Sequence, residues 1–528
     1  MKKYIGLSII ALGLGLTSCN EYLDKLPDDR AEVNTVDKIN KFLVSAYPYH
    51  SNCFVMFFSS DNVTENGPQY SATKSQEESY KFQPVTSESN DDPRTLWNVY
   101  YECVGVANET LRAIDEMGNP ASLRGQRAEA LLCRAYSMFE LTNTFCMAYN
   151  PEKADEYMGV PYPKEPGVSV NERGTLRQTY ENINADIEEA LPLVDNNHLA
   201  IPKYHFNNKA AYAFAARFNL YYHNYDKAIS YASQVLGDNP ANVLREWSKY
   251  TELGYEDFFY LYIQTGENAN LLQMPAYSIF GRAAMGSSSY RRYHHNVSML
   301  NYETCRAYSP WSPNELSNNT LYFARQFYRY GDFAMFCPYM MEEFEVTDKV
   351  LDTGYPHIID IPFTGDETLL ARAEAYALKG DLDKAMADMN TWMKSNCYSK
   401  RGSYTTPTIT ADFVNSFVDS LEYSPVVPKA FNDRTLRKKL NPQGFTVAKG
   451  TQENLIQLIL HMRRCEFLYE EYRFMDLKRY GIEYSHPIEG ADPIIFKAGD
   501  LRGAIQLPSD VIDAGLPENP REGEKNEE

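Results

Sequence analysis

The sequence predicts a mostly α-helical protein, in which pairs of helices form a scaffold and an irregular, aromatic-rich part is inserted between them. Apolar residues recur at helical spacing in several long segments. Two of these segments share one local pattern, which suggests repeated helix pairs. Between Trp247 and Phe344 the helical periodicity fades and turn residues take over. The 528 residues are enough for three or four domains, or for one large domain with insertions.

Composition limits the classes of function. Hydrophobic residues make up 44% and charged residues 23% of the chain, which is typical of soluble globular proteins. With 51 Lys and Arg against 71 Asp and Glu, the net charge is −20. Nucleic-acid binding depends on basic residues that displace counterions from phosphates, so nucleic acid is not expected as a partner. The 41 tyrosines suit stacking on sugars or peptides, and they equally suit helix packing.

The N-terminus predicts export. Lys2 and Lys3 precede an apolar run over residues 4–16, which fits a signal peptide and is too short to span a bilayer comfortably. The following Leu16-Thr17-Ser18-Cys19 resembles the lipobox of bacterial lipoproteins. We therefore expect cleavage before Cys19 and acylation of that residue, which would leave the chain attached to a membrane through lipid. An ordinary secretory signal with an incidental cysteine is the alternative.

Four segments carry the scaffold. Helices are predicted over roughly 91–117 and 122–146, and helix pairs over 207–236 and 367–393. Each of these two pairs has an Ala-rich first helix, a short polar turn and an Asp-Lys-Ala start to the second helix. That pattern is typical of tetratricopeptide helix pairs, although no strict repeat period runs through the chain.

A fifth helical segment is predicted from Thr451 to Gly481, with Thr451 as N-cap and Gly481 as the stop. Its charged residues resemble an active site, but on a helix they are better explained as ion pairs within the scaffold. They are Arg463, Arg464, Glu466, Glu470, Arg473 and Asp476.

The irregular part is the predicted location of ligand contacts. Residues 247–345 contain 23 aromatics, and a second irregular stretch covers 59–94. Trp311 is the first candidate, because two prolines stiffen its Ser-Pro-Trp-Ser-Pro loop, although a ring packed under the loop is an equal alternative. The weaker candidates are Tyr290, Tyr293, Tyr70 and Tyr80. Trp97 lies at helical spacing and is assigned to the scaffold core.

These observations divide the chain into five parts. They are a signal peptide at 1–18, an N-terminal helical-pair scaffold at 19–246 that includes the irregular 59–94, an irregular aromatic-rich insertion at 247–360, a C-terminal helical scaffold at 361–516 and an acidic tail at 517–528.

Local signatures of catalysis or metal binding are missing. The sequence has no GxSxG, Walker A, HExxH or EF-hand spacing, and no CxxC pair. His294, His295 and His461 are weak metal candidates, because such sites need three or four convergent ligands. The sequence therefore offers no catalytic residue, metal site or cofactor site to name, although missing motifs do not exclude an enzyme. The pairing of the eight cysteines after Cys19 stays open.

Several segments together resemble one family. They are SCNEYLDKLPDD after the signal, RAEALLCRAYSMFELTNTF, PFTGDETLLARAEAYALKGDLDKAMADMNTWM and, most diagnostic, RRCEFLYEEYRFMDLKRYG. With these, the chain resembles the SusD/RagB-like outer-membrane nutrient-uptake lipoproteins. The resemblance implies a helical binding protein without catalysis, which sits at the cell surface on a TonB-dependent SusC-like transporter. It also implies an oligosaccharide or polysaccharide as ligand; a peptide, as for proteins of the RagB kind, and a secreted carbohydrate-active enzyme are the alternatives.

Overall fold

The computed structural model describes residues 33–167, 172–284, 290–311, 322–323, 327–336, 340–398 and 406–521. The signal peptide, Cys19 and the last part of the acidic tail lie outside these ranges. The helices are α1 (Val36–Leu43), α2 (Cys53–Ser59), α3 (Lys74–Tyr80), α4 (Pro93–Glu116), α5 (Arg124–Phe145), α6 (Leu176–Ala190), α7 (Asn208–Tyr221), α8 (Tyr225–Leu236), α9 (Tyr255–Tyr262), α10 (Phe280–Ala284), α11 (Val297–Tyr302), α12 (Gly365–Lys379), α13 (Leu382–Asn396), α14 (Ala411–Asp419), α15 (Thr451–Glu466), α16 (Tyr472–Arg479) and α17 (Ser509–Asp513).

The strands are short and fall mostly in the middle of the chain. They are β1 (Thr64–Glu65), β2 (Asn270–Tyr277), β3 (Tyr293–His294), β4 (Tyr322–Phe323), β5 (Tyr328–Tyr330), β6 (Ala334–Phe336), β7 (Glu343–Asp348), β8 (Thr353–Thr364), β9 (Cys397–Tyr398), β10 (Tyr484–Ile488) and β11 (Ala491–Phe496). The protein is thus mostly helical, as predicted. No helix in the described ranges combines the length and hydropathy needed to cross a membrane.

The predicted helices of the N-terminal scaffold are confirmed as α4 and α5, which pack on each other. Asp92 caps α4 by accepting a hydrogen bond from the backbone N–H of Thr95 at 2.8 Å, and Pro93 takes the first helical position. Trp97 is buried on α4, as the sequence indicated. The apolar stripe of α5 faces the core along its whole length.

The two predicted helix pairs are confirmed as α7 with α8 and α12 with α13. They form one continuous stack, because α8 packs against α12 and α12 packs against α15. The alanines of α7 and α12 are buried in these contacts, so the helix backbones approach closely. Thr364 caps α12, and Gly380 ends it in the left-handed conformation at φ 87°.

The segment from Thr451 to Gly481 differs from its prediction in two respects. It forms two helices, α15 and α16, with a break after Glu466. The N-cap is Gly450 at φ 88° and not Thr451, which is the first helical residue and whose hydroxyl accepts from the Asn415 amide at 2.9 Å. Gly481 follows the end of α16 at φ 54°, in agreement with its role as a stop.

The middle of the chain is more ordered than its composition suggests. Strands β2, β8 and β7 form a three-stranded antiparallel sheet, with β8 in the centre and β7 at one edge. The far end of β8 is buried and leads directly into α12. This sheet therefore joins the irregular part to the helical stack.

Candidate functional site

Three segments that are distant in sequence meet at Asn66. Its side-chain amide donates to the backbone carbonyl of Arg291 at 2.8 Å and to that of Phe333 at 2.9 Å. The same side chain accepts from the Asn296 amide at 3.0 Å. Strands β1 and β3 pair beside it, with Thr64 opposite His294. One asparagine thus holds together the irregular stretch 59–94 and two parts of the aromatic-rich insertion.

Tyr70 and Phe333 form an aromatic pair on this junction. Their ring centroids are 4.8 Å apart at an interplanar angle of 41°. Phe333 is 38% exposed, and Tyr70 is half-buried. Gly67, at φ 109°, turns the chain so that Gln69 and Tyr70 reach the surface beside Asn66. The pair offers apolar ring surface with polar amides around it, the combination that binds the flat faces of sugars.

Tyr80 and Tyr293 lie beside β1 and are buried. Tyr80 stacks on Tyr293 at 4.4 Å and on His486 at 4.0 Å. Burial raises the pKa of the Tyr80 hydroxyl well above its usual range. The protonated hydroxyl donates to the Pro487 carbonyl at 3.0 Å and accepts the backbone N–H of Glu65 at 3.1 Å. Both rings are covered by protein, and neither offers a free surface to a ligand.

Tyr290 is half-buried and lies at the edge of the junction. Of the five predicted ligand residues, the structure therefore gives Tyr70 and Tyr290 partly accessible rings.

Trp311 lies in the core and not on the face. Its side chain is 0% exposed, and its ring stacks on His461 at 5.2 Å and 8° and packs against Trp392 at 5.3 Å. The indole N–H donates to the Cys305 carbonyl at 3.1 Å. The ring is therefore packed inside the protein, which is the alternative that the sequence also allowed. A ring covered in this way has no face left for a sugar. Of the two prolines beside the ring, Pro310 lies within the described ranges and is buried, and Pro313 lies outside them together with the rest of the loop.

A buried ion network fastens the face to the scaffold. Arg473 of α16 holds Asp61 through two bonds of 2.6 and 2.7 Å, and Arg464 of α15 contacts Glu303 at 3.3 Å. Burial opposes ionisation of Glu303, but Arg434 and Arg464 outweigh it and lower its pKa to about 2. The charged residues of α15 and α16 thus have the structural role predicted for them.

His295, His461 and the cysteines of the described ranges are buried in the protein and contribute to its structure. His295 bonds the Asn62 carbonyl at 2.9 Å and the Thr304 hydroxyl at 3.1 Å, and burial lowers its pKa to about 3. Burial likewise lowers the pKa of His461 to about 3. Within the described ranges no cluster of three or more His, Cys, Asp or Glu side chains is arranged to hold a metal ion. Seven cysteines there are buried free thiols, and Cys337 lies outside.

Sequence reasoning missed Phe333 and Asn66. Phe333 follows Gly331 and Asp332 between two aromatic strands, and this turn signal marks the tip of a hairpin. Nothing in the sequence, however, pairs Phe333 with Tyr70, because no spacing rule connects such distant positions.

Comparisons with known proteins agree with this architecture. One family model, described as starch-binding associating with outer membrane (SusD-like), matches residues 21–220, and a second, the SusD family, matches residues 366–498. Among curated proteins, no sequence matches the chain.

Solved structures with this fold come from several Bacteroides species. A SusD superfamily protein of Bacteroides thetaiotaomicron VPI-5482 is 19% identical, with a TM-score of 0.59 over 92% of this chain and 98% of that one. One from Bacteroides fragilis is 18% identical, with a TM-score of 0.58 over 92% and 98%. A SusD-like carbohydrate binding protein of Bacteroides vulgatus ATCC 8482 is 14% identical, with a TM-score of 0.51 over 87% and 88%. At these identities the likeness concerns the fold.

Proposed function

We propose that this chain, which belongs to the SusD/RagB-like family, is a cell-surface lipoprotein that binds an oligosaccharide or polysaccharide and delivers it to a TonB-dependent SusC-like transporter. The observation that carries the binding role is the Tyr70–Phe333 pair on the Asn66 junction. Its rings are fixed by the fold and partly open to solvent, so little conformational entropy is lost when a sugar stacks on them.

The proposed role is binding without catalysis. Glu65, a carboxylate beside this face, accepts from Arg292 at 2.7 Å and from the backbone N–H of Glu489 at 2.9 Å. A glycosidase needs one carboxylic acid to donate a proton and a second carboxylate to attack or to activate water. Glu65 is instead committed to joining β1 to the segments around it.

Substitution of Tyr70 tests the ligand site. We expect Tyr70→Ala to weaken glycan binding by about 1 to 2 kcal/mol, a rise in Kd of about 5- to 30-fold, because one stacking ring is lost. Binding is first found by retardation in native gels that contain soluble starch, xylan, galactomannan or polygalacturonate. Titration calorimetry with the retarding polysaccharide then measures the loss.

Tyr204→Ala is the matched control, because Tyr204 is an exposed tyrosine that lies on the scaffold, just before α7. Equal binding by folded Tyr70→Ala and wild type would show that the ligand site lies elsewhere. If a panel of peptides is bound and no polysaccharide is, the protein is of the peptide-binding RagB kind.

The membrane attachment rests on Cys19. We expect Cys19→Ala to release the protein from the membrane fraction, because each buried CH₂ of an acyl chain contributes about 0.8 kcal/mol to anchoring and an unacylated chain has none. Fractionation after a high-salt wash, with mass spectrometry of the N-terminal peptide, measures this. Persistent membrane association of the Ala variant would contradict the lipid anchor.

A further inference from the structure

A second group of tyrosines lies at the end of the three-stranded sheet. Tyr277 ends β2, Tyr355 lies on β8, and Tyr49 lies in the loop before α2. The ring of Tyr277 is 5.3 Å from that of Tyr355 and 6.1 Å from that of Tyr49, measured between centroids. Tyr355 is 53% exposed and Tyr49 37%. These three rings form one surface, here called the tri-tyrosine surface.

Strand register decides which residues border this surface. Tyr277 is opposite His357, which is opposite Glu343, and Tyr355 is opposite Glu345. Residues directly opposite each other share a face of the sheet, so these five side chains lie on one side. Phe344, one position along β7, points to the other side.

The rings are held in place by the protein itself. The backbone N–H of Tyr277 donates to the carbonyl of Tyr49 at 2.9 Å. The Tyr49 hydroxyl donates to the Glu102 carboxylate at 2.8 Å, and its ring packs against His50 at 5.1 Å. His50 is buried and bonds the Asn90 carbonyl at 2.7 Å. A ligand therefore meets rings whose positions are already set, and rigid aromatic surface binds at low entropic cost.

We propose that the tri-tyrosine surface is a second carbohydrate subsite, which takes a pyranose unit of a neutral glycan. The inference rests on the proposed glycan-binding function. The C–H face of the sugar packs on Tyr355 and Tyr277, as on other rings with a polar tip. Glu102 and Glu345 lie at the edges, where carboxylate oxygens accept hydrogen bonds from sugar hydroxyls. The same negative charges repel uronates and sulfated sugars, which makes the ligand neutral.

The subsite and the Tyr70–Phe333 pair would act together on a polymer that is long enough to contact both places. Binding at the second place is then intramolecular, which strengthens attachment of a long chain more than that of a short one.

Tyr355→Ala tests the subsite, with Phe344→Ala as control. The two residues are equally exposed, at 53%, and point to opposite sides of the same β7–β8 ribbon. We expect Tyr355→Ala to weaken retardation by the neutral polysaccharide by about 5- to 10-fold and Phe344→Ala to leave it within about twofold. Binding of a disaccharide from the same polymer, measured by calorimetry, should depend less on Tyr355. Tyr49→Ala is a second variant, and melting curves confirm that each folds.

The outcomes separate this inference from the proposed function. If Tyr70→Ala loses binding while Tyr355→Ala and Tyr49→Ala bind like wild type, the second subsite is wrong and the proposed function stands. If Tyr355→Ala instead loses copurification with the transporter and keeps its glycan affinity, the surface is a protein contact. Stronger retardation by polygalacturonate than by any neutral polymer would contradict the proposal that the ligand is a neutral glycan. If wild type is retarded by none of them, both proposals fail.

Discussion

The helical scaffold and the irregular face use the same aromatic residues and cover them differently. Trp311 has partners on its ring faces and a bonded indole N–H, and it is closed from solvent. Phe333 packs against the Tyr70 ring and keeps more than a third of its surface exposed. A proline-flanked loop suggested exposure for the first ring, whereas the turn signal beside the second ring was missed. What packs against a ring, and not the composition of its loop, decides whether it is free to bind.

Charged residues show the same contrast. Arg463 and Asp476 are joined at 2.8 Å deep in the scaffold, where neither side chain reaches solvent. Arg112 on the outside of α4 pairs with Glu109 and Glu116 and stays largely exposed. Buried pairs hold elements together because either partner alone would be an uncompensated charge, whereas surface pairs contribute little.

Removal of the Trp311 ring should have the largest effect in this comparison of buried and exposed rings. We expect Trp311→Ala to lower the free energy of unfolding by about 3 to 5 kcal/mol, because it leaves a large cavity beside His461 and Trp392. Denaturant unfolding measures this change. Affinity for the glycan, measured in the folded fraction, should stay close to that of wild type. A variant with normal stability and lost binding would return Trp311 to the ligand site.

Arg473→Ala should have an effect of similar size by another mechanism. Loss of one partner of a buried, hydrogen-bonded ion pair costs about 3 to 5 kcal/mol, and here it also removes a tie between α16 and the segment that carries Tyr70. Arg112→Ala is the control, with a cost below about 1 kcal/mol. The two variants are compared by denaturant unfolding. Equal stabilities of the two variants would contradict the contrast between buried and exposed pairs.

The scaffold was predictable because its signals are local. Helical spacing acts within a few residues, and the helices that it predicted over 91–117 and 122–146 agree within two residues with α4 and α5. The break between α15 and α16 was not foreseen, because the apolar pattern continues through it. The sheet was also missed, since the paired residues of β2 and β8 are 80 to 94 positions apart.

The site was predictable only as a region. The irregular segments do meet, but which tyrosine faces solvent depends on distant residues. Tyr80 is buried by His486, whose ring nitrogen bonds the Tyr80 carbonyl from 406 positions away. Tyr70 packs against Phe333 and remains half-exposed. The tri-tyrosine surface lies partly outside the predicted segments. Its residues Tyr49 and Tyr355 are distant in sequence and come together only through the pairing of strands and loops.

The smallest expected effect concerns a part of the scaffold where carboxyl groups are buried and the nearby positive charge compensates them only in part. Glu140 of α5 is buried and accepts from the Asn52 amide at 2.9 Å. Burial and the nearby Glu471 raise its pKa above the ordinary 4.5, and Arg217 opposes this only in part. The pKa of Asp360 is also raised, mainly by burial and in addition by Glu471.

The sign of the pH dependence follows from this. Above pH 4.5 the unfolded chain loses the Glu140 proton while the folded protein keeps it. The contribution of Glu140 to the free energy of unfolding is therefore fully present at acid pH, and it falls as the pH rises toward the raised pKa of the folded protein. Glu140→Gln keeps the shape and removes the charge. Its free energy of unfolding relative to wild type should therefore increase between pH 5 and pH 8, by on the order of 1 kcal/mol, since one pKa unit corresponds to about 1.4 kcal/mol. Glu116→Gln, on the exposed surface of α4, should show no such change in denaturant unfolding at the two pH values. If the difference between Glu140→Gln and wild type is the same at both, the carboxylate is ionised in the folded protein and the acid pocket is as well compensated as the Arg473–Asp61 pair.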